Sequence, residues 1–460
     1  MTIWLPRLEG RAGPRYVAIA EALREDVAAG RLEPGARLPP QRALAFRLGV
    51  TLGTVSRAYL EAERRGLVRG EVGRGTFVCS RMAEEGLALQ REEPGIVDLS
   101  LNRPTLGGIS SELAATLAQL SRRNDLSPLL AYQSELGIAG HREAAVEWLA
   151  RTGVEAAVER VAITCGAQHG LEVSLAAATQ PGDTLLVETL TFPGIKPLAA
   201  RFGVTLKALA SDREGLLPDA LEAACRDGRP AALFTMPTLH NPTTATLSGA
   251  RRHAVVETAR RHDLTIIEDD IYGFLVGDAP APLAALAPER VLYVTSLSKS
   301  MAAGLRLGYV ACPEALLGRL AAAVRSTVWM APPLMAEIGA RWIRDGTGMR
   351  LASARREETK RRQALAMRHL AGQDIETHPA SFHLWLHLPE PWRWSDFVAA
   401  AEARGVRLTP PDLFVTGRGS APHAVRLCLT AVESEARLES ALEKLAGLLA
   451  SAPEPRLSVV

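Results

Sequence analysis

Lysine is scarce in this chain of 460 residues: Lys196, Lys207, Lys299, Lys360 and Lys444 stand against 48 arginines. Chemistry that needs a lysine amine therefore has five candidates, and one stands apart. Lys299 lies in SLSKSMAAGLRLGY (296–309), directly after the apolar run VLYVT, at the end of an expected central strand. The other four fall in stretches that read as exposed loops or helices. A lysine held at a strand end in apolar surroundings has a depressed pKa and is suited to form a Schiff base with an aldehyde. Other strand ends carry the parts that a pyridine aldehyde needs. LTIIEDD (264–270) closes with Asp269 and Asp270, either of which can keep a ring nitrogen protonated so that the ring acts as an electron sink. Asn241 and Tyr272 suit a ring hydroxyl. Gly166, Ala167 and Gln168 precede the helical stretch LEVSLAAAT, and backbone N–H groups at a helix start favour a phosphate. Ser296, Ser298 and Arg306 would add hydroxyls and a guanidinium to that phosphate site. Together these parts describe a site for pyridoxal 5′-phosphate.

The elements that must position them are strands alternating with helices. VAITCG (161–166), TLLVE (184–188), AALFTMP (231–237), LTIIEDD and VLYVTSLS (291–298) are apolar and rich in β-branched residues, with amphipathic helical stretches between most of them. That order predicts an α/β body over 96–455 with a largely parallel sheet, helices on both faces and a smaller C-terminal α+β lobe over roughly 330–455. Ligands of such sheets bind beyond the carboxyl ends of the strands, where the residues above lie. The length implies two or three domains. Apolar residues at 47% and charged residues at 23% are ordinary globular composition. No apolar run reaches the roughly 18 residues of a membrane span, the N-terminus lacks the apolar core of a signal peptide, and the five cysteines are scattered. A cytoplasmic protein without a metal site is expected.

Net charge divides the chain unevenly. Residues 1–80 hold 13 arginines against eight acidic residues, and the remainder holds 40 basic residues against 43 acidic ones. In the basic head, Tyr16, Ile19, Ala20, Leu23 and Val27 form one helical stripe closed by Gly30 and Pro34. A short helix follows Pro40, and Thr51 is placed to cap a third helix that Gly66 stops. LVRGEVGRGTFV (67–78) reads as two strands around a turn at Gly73–Gly75. Three helices and a hairpin make a winged helix-turn-helix, suited to double-stranded DNA, with Arg37, Arg42, Arg57 and Arg74 bracketing the elements that would face the grooves. Residues 81–95 form a polar linker.

The stretch GRLEPGARLPPQRALAFRLGVTLGTVSRAYLEAERRGLV (30–68) resembles the head of the GntR family of bacterial regulators. The resemblance implies DNA contacts from Arg42, Thr51, Thr54, Arg74 and Gly75. Leu52 and Gly53 stand where that family usually has polar residues, which would leave Thr51, Thr54 and Arg57 to read bases. TCGAQHGL (164–171), TLTFPG (189–194), HNPT (240–243), EDDIYG (268–273) and the Lys299 stretch resemble the fold-type I aminotransferases in content and order. That resemblance implies Lys299 as the Schiff-base lysine, Asp269 rather than Asp270 as the ring-nitrogen partner, and Phe192 stacked on the ring. It also implies that Tyr132 reaches the phosphate of a neighbouring subunit and that Arg426 clamps a substrate carboxylate. The chain departs from the family pattern at Thr244, Ala303 and Ala380–Ser381. The two parts together resemble the MocR subfamily of regulators. This implies a homodimer with head-to-tail swapped domains that uses pyridoxal phosphate and answers an amine or amino acid. A working aminotransferase with an appended head is the alternative.

Overall fold

The computed structural model describes residues 4–8, 13–71, 73–79, 93, 95–417 and 419–451. The expected linker over 81–95 lies almost wholly outside them. The head contains α1 (Arg15–Ala28), α2 (Gln41–Leu48), α3 (Leu52–Arg64) and an antiparallel hairpin of β1 (Val68–Glu71) and β2 (Gly75–Val78). The α1 stripe packs Ile19, Leu23 and Val27 against Leu44 of α2, Val55 and Tyr59 of α3, and Val68 and Val78 of the hairpin. Gly49 ends α2 at φ 63°, a left-handed position that glycine takes without steric cost. Thr51 then caps α3, its hydroxyl accepting from the Thr54 N–H at 3.2 Å. The tight turn between α2 and α3 follows from these two residues.

After β3 (Val97–Asp98), the body builds a sheet from β4 (Val161–Thr164), β5 (Thr184–Glu188), β6 (Thr205–Leu209), β9 (Ala232–Thr235), β10 (Thr265–Asp269), β11 (Val291–Ser296) and β12 (Gly308–Ala311). A small hairpin, β7 (Ser211–Asp212) and β8 (Gly215–Leu216), lies between β6 and β9. The sheet order is β4-β12-β11-β10-β9-β5-β6, and only β12 runs against its neighbours. Strands β4, β9 and β11 are buried along their whole length, which is why they read as continuous apolar runs. Strand β6 was not visible in the sequence because it is a largely exposed edge, and β12 was hidden inside the glycine-rich stretch after Lys299.

A second core surrounds the three-stranded sheet of β13 (Ile375–Glu376), β14 (His383–His387) and β16 (Ala424–Cys428). β15 (Val406–Arg407) pairs in parallel with β3, so Val97 and Leu99 join this core from the other end of the body. Helices Glu314–Thr327 and Pro333–Arg344 instead place Leu320, Val324, Ile338 and Trp342 in the core of the large sheet. The small-lobe core therefore begins later than the expected position near 330, around Ala366, and borrows the first strand of the body.

Candidate cofactor site and nucleic-acid interface

The carboxyl ends of β4, β10 and β11 converge on Lys299, which follows β11 in the short helix Leu297–Ser300. Its Nζ donates to the backbone carbonyl of Asn102. Burial lowers the Lys299 pKa to about 8, with Arg426 and Arg306 acting in the same direction and Cys428 and Asp269 opposing. Asp269, at the end of β10, is 1% exposed, and burial followed by repulsion from Asp270 raises its pKa to about 7. Asp269 and Asp270 each keep one buried oxygen without a hydrogen-bond partner, but their surroundings differ. The other oxygen of Asp270 accepts from the Tyr293 hydroxyl at 2.7 Å, and a Cβ on Gly273 would lie 2.3 Å from it. Asp269 instead interacts with Lys299. An ionisable oxygen buried beside a lysine with no donor to meet it is the environment a protonated ring nitrogen would complete.

The phosphate end also fits. Gly166 has φ 83° and ψ 172°, and opens the helix Ala167–Ala178. A Cβ there would lie 2.7 Å from Nη2 of Arg306, so the absence of a side chain at Gly166 leaves the guanidinium its place against the turn. Arg306, itself left-handed at φ 50°, donates to the Cys165 carbonyl at 3.3 Å. Ser296 is buried and Ser298 half-buried on the same turn. Gln168 donates to the Gly194 carbonyl at 2.9 Å, and a Cβ on Gly194 would lie 2.4 Å from the Phe192 ring, so Phe192 and the helix start are closely packed.

Tyr272 is 1% exposed and Asn241 is buried. The Asn241 carbonyl oxygen accepts from Nη1 of Arg426 at 2.7 Å. Nη2 of Arg426 donates to the Ser100 carbonyl and the Thr409 hydroxyl at 2.5 and 3.0 Å, and its guanidinium lies 5.0 Å from the Phe414 ring centre. Nε of Arg426 is buried without a hydrogen-bond partner. This arginine is therefore inside the site and pre-oriented, as a carboxylate clamp would be. Tyr132 does the opposite: it is 82% exposed and packs edge-on against Trp329, with Leu130 exposed nearby. Two groups escaped sequence reasoning. Asn102 and His383 both reach Tyr272, the first by a 2.7 Å hydrogen bond and the second by ring contact at 5.9 Å. LNRPT reads locally as a turn and FHLWLH as a strand, so no local pattern marks either residue.

In the head, Arg42 and Arg57 are exposed. The hydroxyls of Thr51 and Thr54 are 2.9 Å apart and serve the cap, so the tip of α3 presents Leu52 and Gly53 outward, with Arg57 one turn further on. Arg37 is exposed and crosses the wing: a Cβ on Gly75 would lie 2.8 Å from its Nε. Arg74 is paired with Glu71 at 3.0 Å and half-exposed over Phe77. The wing touches the small lobe, where Arg69 donates to the Asp412 carbonyl at 3.5 Å beside a cavity of about 120 Å³ lined by Arg69, Arg74, Phe77, Arg393, Trp394 and His423. Among the described residues no cluster suited to a metal ion is present, and no helix is long and apolar enough to cross a membrane.

A winged head on an aminotransferase fold defines the class, and the comparisons agree with it. Residues 15–78 match the model of bacterial regulatory proteins of the gntR family, and residues 94–445 match that of aminotransferase class I and II. The chain belongs to the GntR-type transcriptional regulators that carry an aminotransferase class I and II domain, the MocR architecture. It is 31% identical over 447 residues to the HTH-type transcriptional regulator YdeF of Bacillus subtilis (strain 168), covering 97% of this chain and 96% of that one. It is 32% identical to the vitamin B6 salvage pathway transcriptional repressor PtsJ of Salmonella typhimurium, over 66% of this chain and 68% of that one. Kynurenine aminotransferase from Pyrococcus horikoshii shares the fold with a TM-score of 0.72 at 22% identity, covering 80% of this chain and 96% of that one.

Proposed function

We propose that this protein is a cytoplasmic transcriptional regulator that binds double-stranded DNA through its head. Its body binds pyridoxal 5′-phosphate and senses it, or an amino compound captured through it, as a homodimer. The cofactor, when bound, supplies an aldehyde and a protonated ring that draws electrons from a captured amine. The chain's own residues do the rest. Lys299 presents an amine that is neutral above about pH 8, Asp269 holds the ring-nitrogen proton, and Tyr272 and Asn241 face the ring oxygen. Gly166, Ala167, Gln168, Ser296, Ser298 and Arg306 hold the phosphate, and Phe192 covers the ring. The name of PtsJ supports reading the cofactor itself as a signal.

The observation that carries a regulatory reading is a short physical route from the ligand clamp to the head. Arg426 lies over Phe414, and two residues back in the same turn the Asp412 carbonyl meets Arg69 of the wing. Lys196 bolts that turn to the large lobe through the Leu413 carbonyl and, at 2.7 Å, the Val415 carbonyl. A carboxylate drawn onto Arg426 would compete with Asn241 and Phe414 and so alter the turn that the wing rests on. The test is duplex binding, on sites selected from a random pool, with and without pyridoxal 5′-phosphate and a panel of amino acids and amines. Coupled changes of about fivefold or more are expected; unchanged affinity across the panel refutes the switch.

The poised Lys299 amine and partnerless Asp269 oxygen also support a second reading, catalytic transamination. Turnover with an amino acid and an oxo-acid at about 1 s⁻¹ or faster would favour it.

A further inference from the structure

Beside Lys299 a line of buried polar groups runs from the small lobe into the site. A backbone carbonyl can only accept, so the His240 carbonyl, 3.3 Å from Nε2 of His383, assigns the ring proton of His383 to Nε2. Burial keeps His383 neutral, with repulsion from Arg426 acting in the same direction. Its bare Nδ1 then accepts from Nδ2 of Asn102 at 2.9 Å. The same amide group donates its second proton to the Tyr272 hydroxyl oxygen at 2.7 Å. Asn102 could take a proton from Tyr272 only by turning its amide over, which would set its oxygen against the bare Nδ1. The Tyr272 hydroxyl is left with its own proton to give elsewhere.

We propose that His383 is a positioning residue: through Asn102 it fixes Tyr272 as a hydrogen-bond donor toward the ring oxygen of the cofactor. This rests on the cofactor reading above. The direction of the bond matters because a donor at the ring oxygen holds that oxygen in its ionised form, whereas a hydroxyl that points its proton at Asn102 does not. A His383 that merely filled the space beside the Tyr272 and Phe382 rings would have no such effect.

The two roles separate in a pH titration of the visible absorbance of the intact protein loaded with pyridoxal 5′-phosphate. His383→Phe keeps an aromatic ring but removes the acceptor, so Asn102 can turn and capture the Tyr272 proton. The midpoint of the titration should rise by about one pH unit, the size of one hydrogen bond to a charged group. His383→Gln, which can offer an acceptor to Asn102 and a donor to His240, should bring the midpoint back toward the wild-type value. Asn102→Ala removes the competing acceptor altogether and should leave the midpoint near wild type, and His383→Leu replaces the Phe variant if that one does not fold. An unmoved midpoint in a folded His383→Phe or His383→Leu protein with its band intact overturns the proposal. So does an Asn102→Ala shift as large as that of His383→Phe. A wild-type protein that develops no band is a different result and overturns the cofactor reading itself.

Discussion

Gly166→Ala is the smallest change that the phosphate cradle should not tolerate. Two costs can be read from the geometry. The backbone at φ 83° and ψ 172° lies in a region open essentially to glycine alone, worth about 1–3 kcal/mol of strain for alanine. The new methyl would also lie 2.7 Å from Nη2 and 3.1 Å from Cζ of Arg306, the first closer than real side-chain carbons approach other atoms. The guanidinium, at the end of a flexible side chain, must therefore shift from its place against the turn. The strain bears on stability in both the empty and the loaded protein. The displaced arginine bears on the cofactor. Loss of one charge-assisted hydrogen bond costs about 1.5–3 kcal/mol, or roughly 10- to 150-fold in affinity. The assay is a spectroscopic titration of cofactor-stripped protein with pyridoxal 5′-phosphate and, in parallel, with pyridoxal. Only the phosphorylated compound should lose affinity, so the ratio of the two isolates the cradle from general damage. Arg306→Ala should produce the same loss, and the double variant should add little to either, because both act on one group. A folded Gly166→Ala protein that keeps the wild-type preference for the phosphorylated compound would refute this account of the cradle.

Three further outcomes are expected. Lys299→Ala should abolish the lysine-bound absorbance band, and in the wild type the rate of cofactor capture should climb with pH through about 8 and then level, because capture needs the neutral amine; a rate flat across that range in stopped-flow absorbance contradicts a poised lysine. Arg42→Ala, at an exposed position in α2, should weaken duplex binding and lower the slope of log affinity against log salt by about one, leaving the cofactor band unchanged. Leu130→Glu places a charge on the surface that exposes Leu130, Tyr132 and Trp329. Sedimentation velocity should show the proposed homodimer giving way to monomer, with the far-UV spectrum unchanged, and a dimer that persists would move the interface elsewhere.

How much of this could be read from the sequence depended on whether a residue's surroundings are set by its own strand. Lys299, Asp269 and the Gly166 turn were legible because β11, β10 and β4 are buried on both faces and end at one side of the sheet, so each apolar run points to the residue beyond it. The head was legible for a similar reason: its stripe, cap and turn are all local. Strand periodicity alone did not choose between Asp269 and Asp270; the family resemblance chose Asp269, and the packing of Tyr293 on Asp270 is the physical difference between the two. Asn102 and His383 were beyond reach, being 281 residues apart and joined only where the lobes meet. Arg426 was named through the aminotransferase resemblance, but its hold on Asn241, 185 residues away, was not. Lys299, Asp269 and Tyr272 belong to the large lobe, whereas Arg426 and His383 stand on the sheet of the small lobe and Asn102 follows the strand it borrows. The site is complete only while the two cores are docked. A substitution along their seam can therefore disturb the cofactor site without touching any residue of a recognisable motif. For a body that answers a ligand by moving one lobe against the other, the polar seam at Asn102, His383 and Arg426 is where binding and movement would be felt by the same side chains.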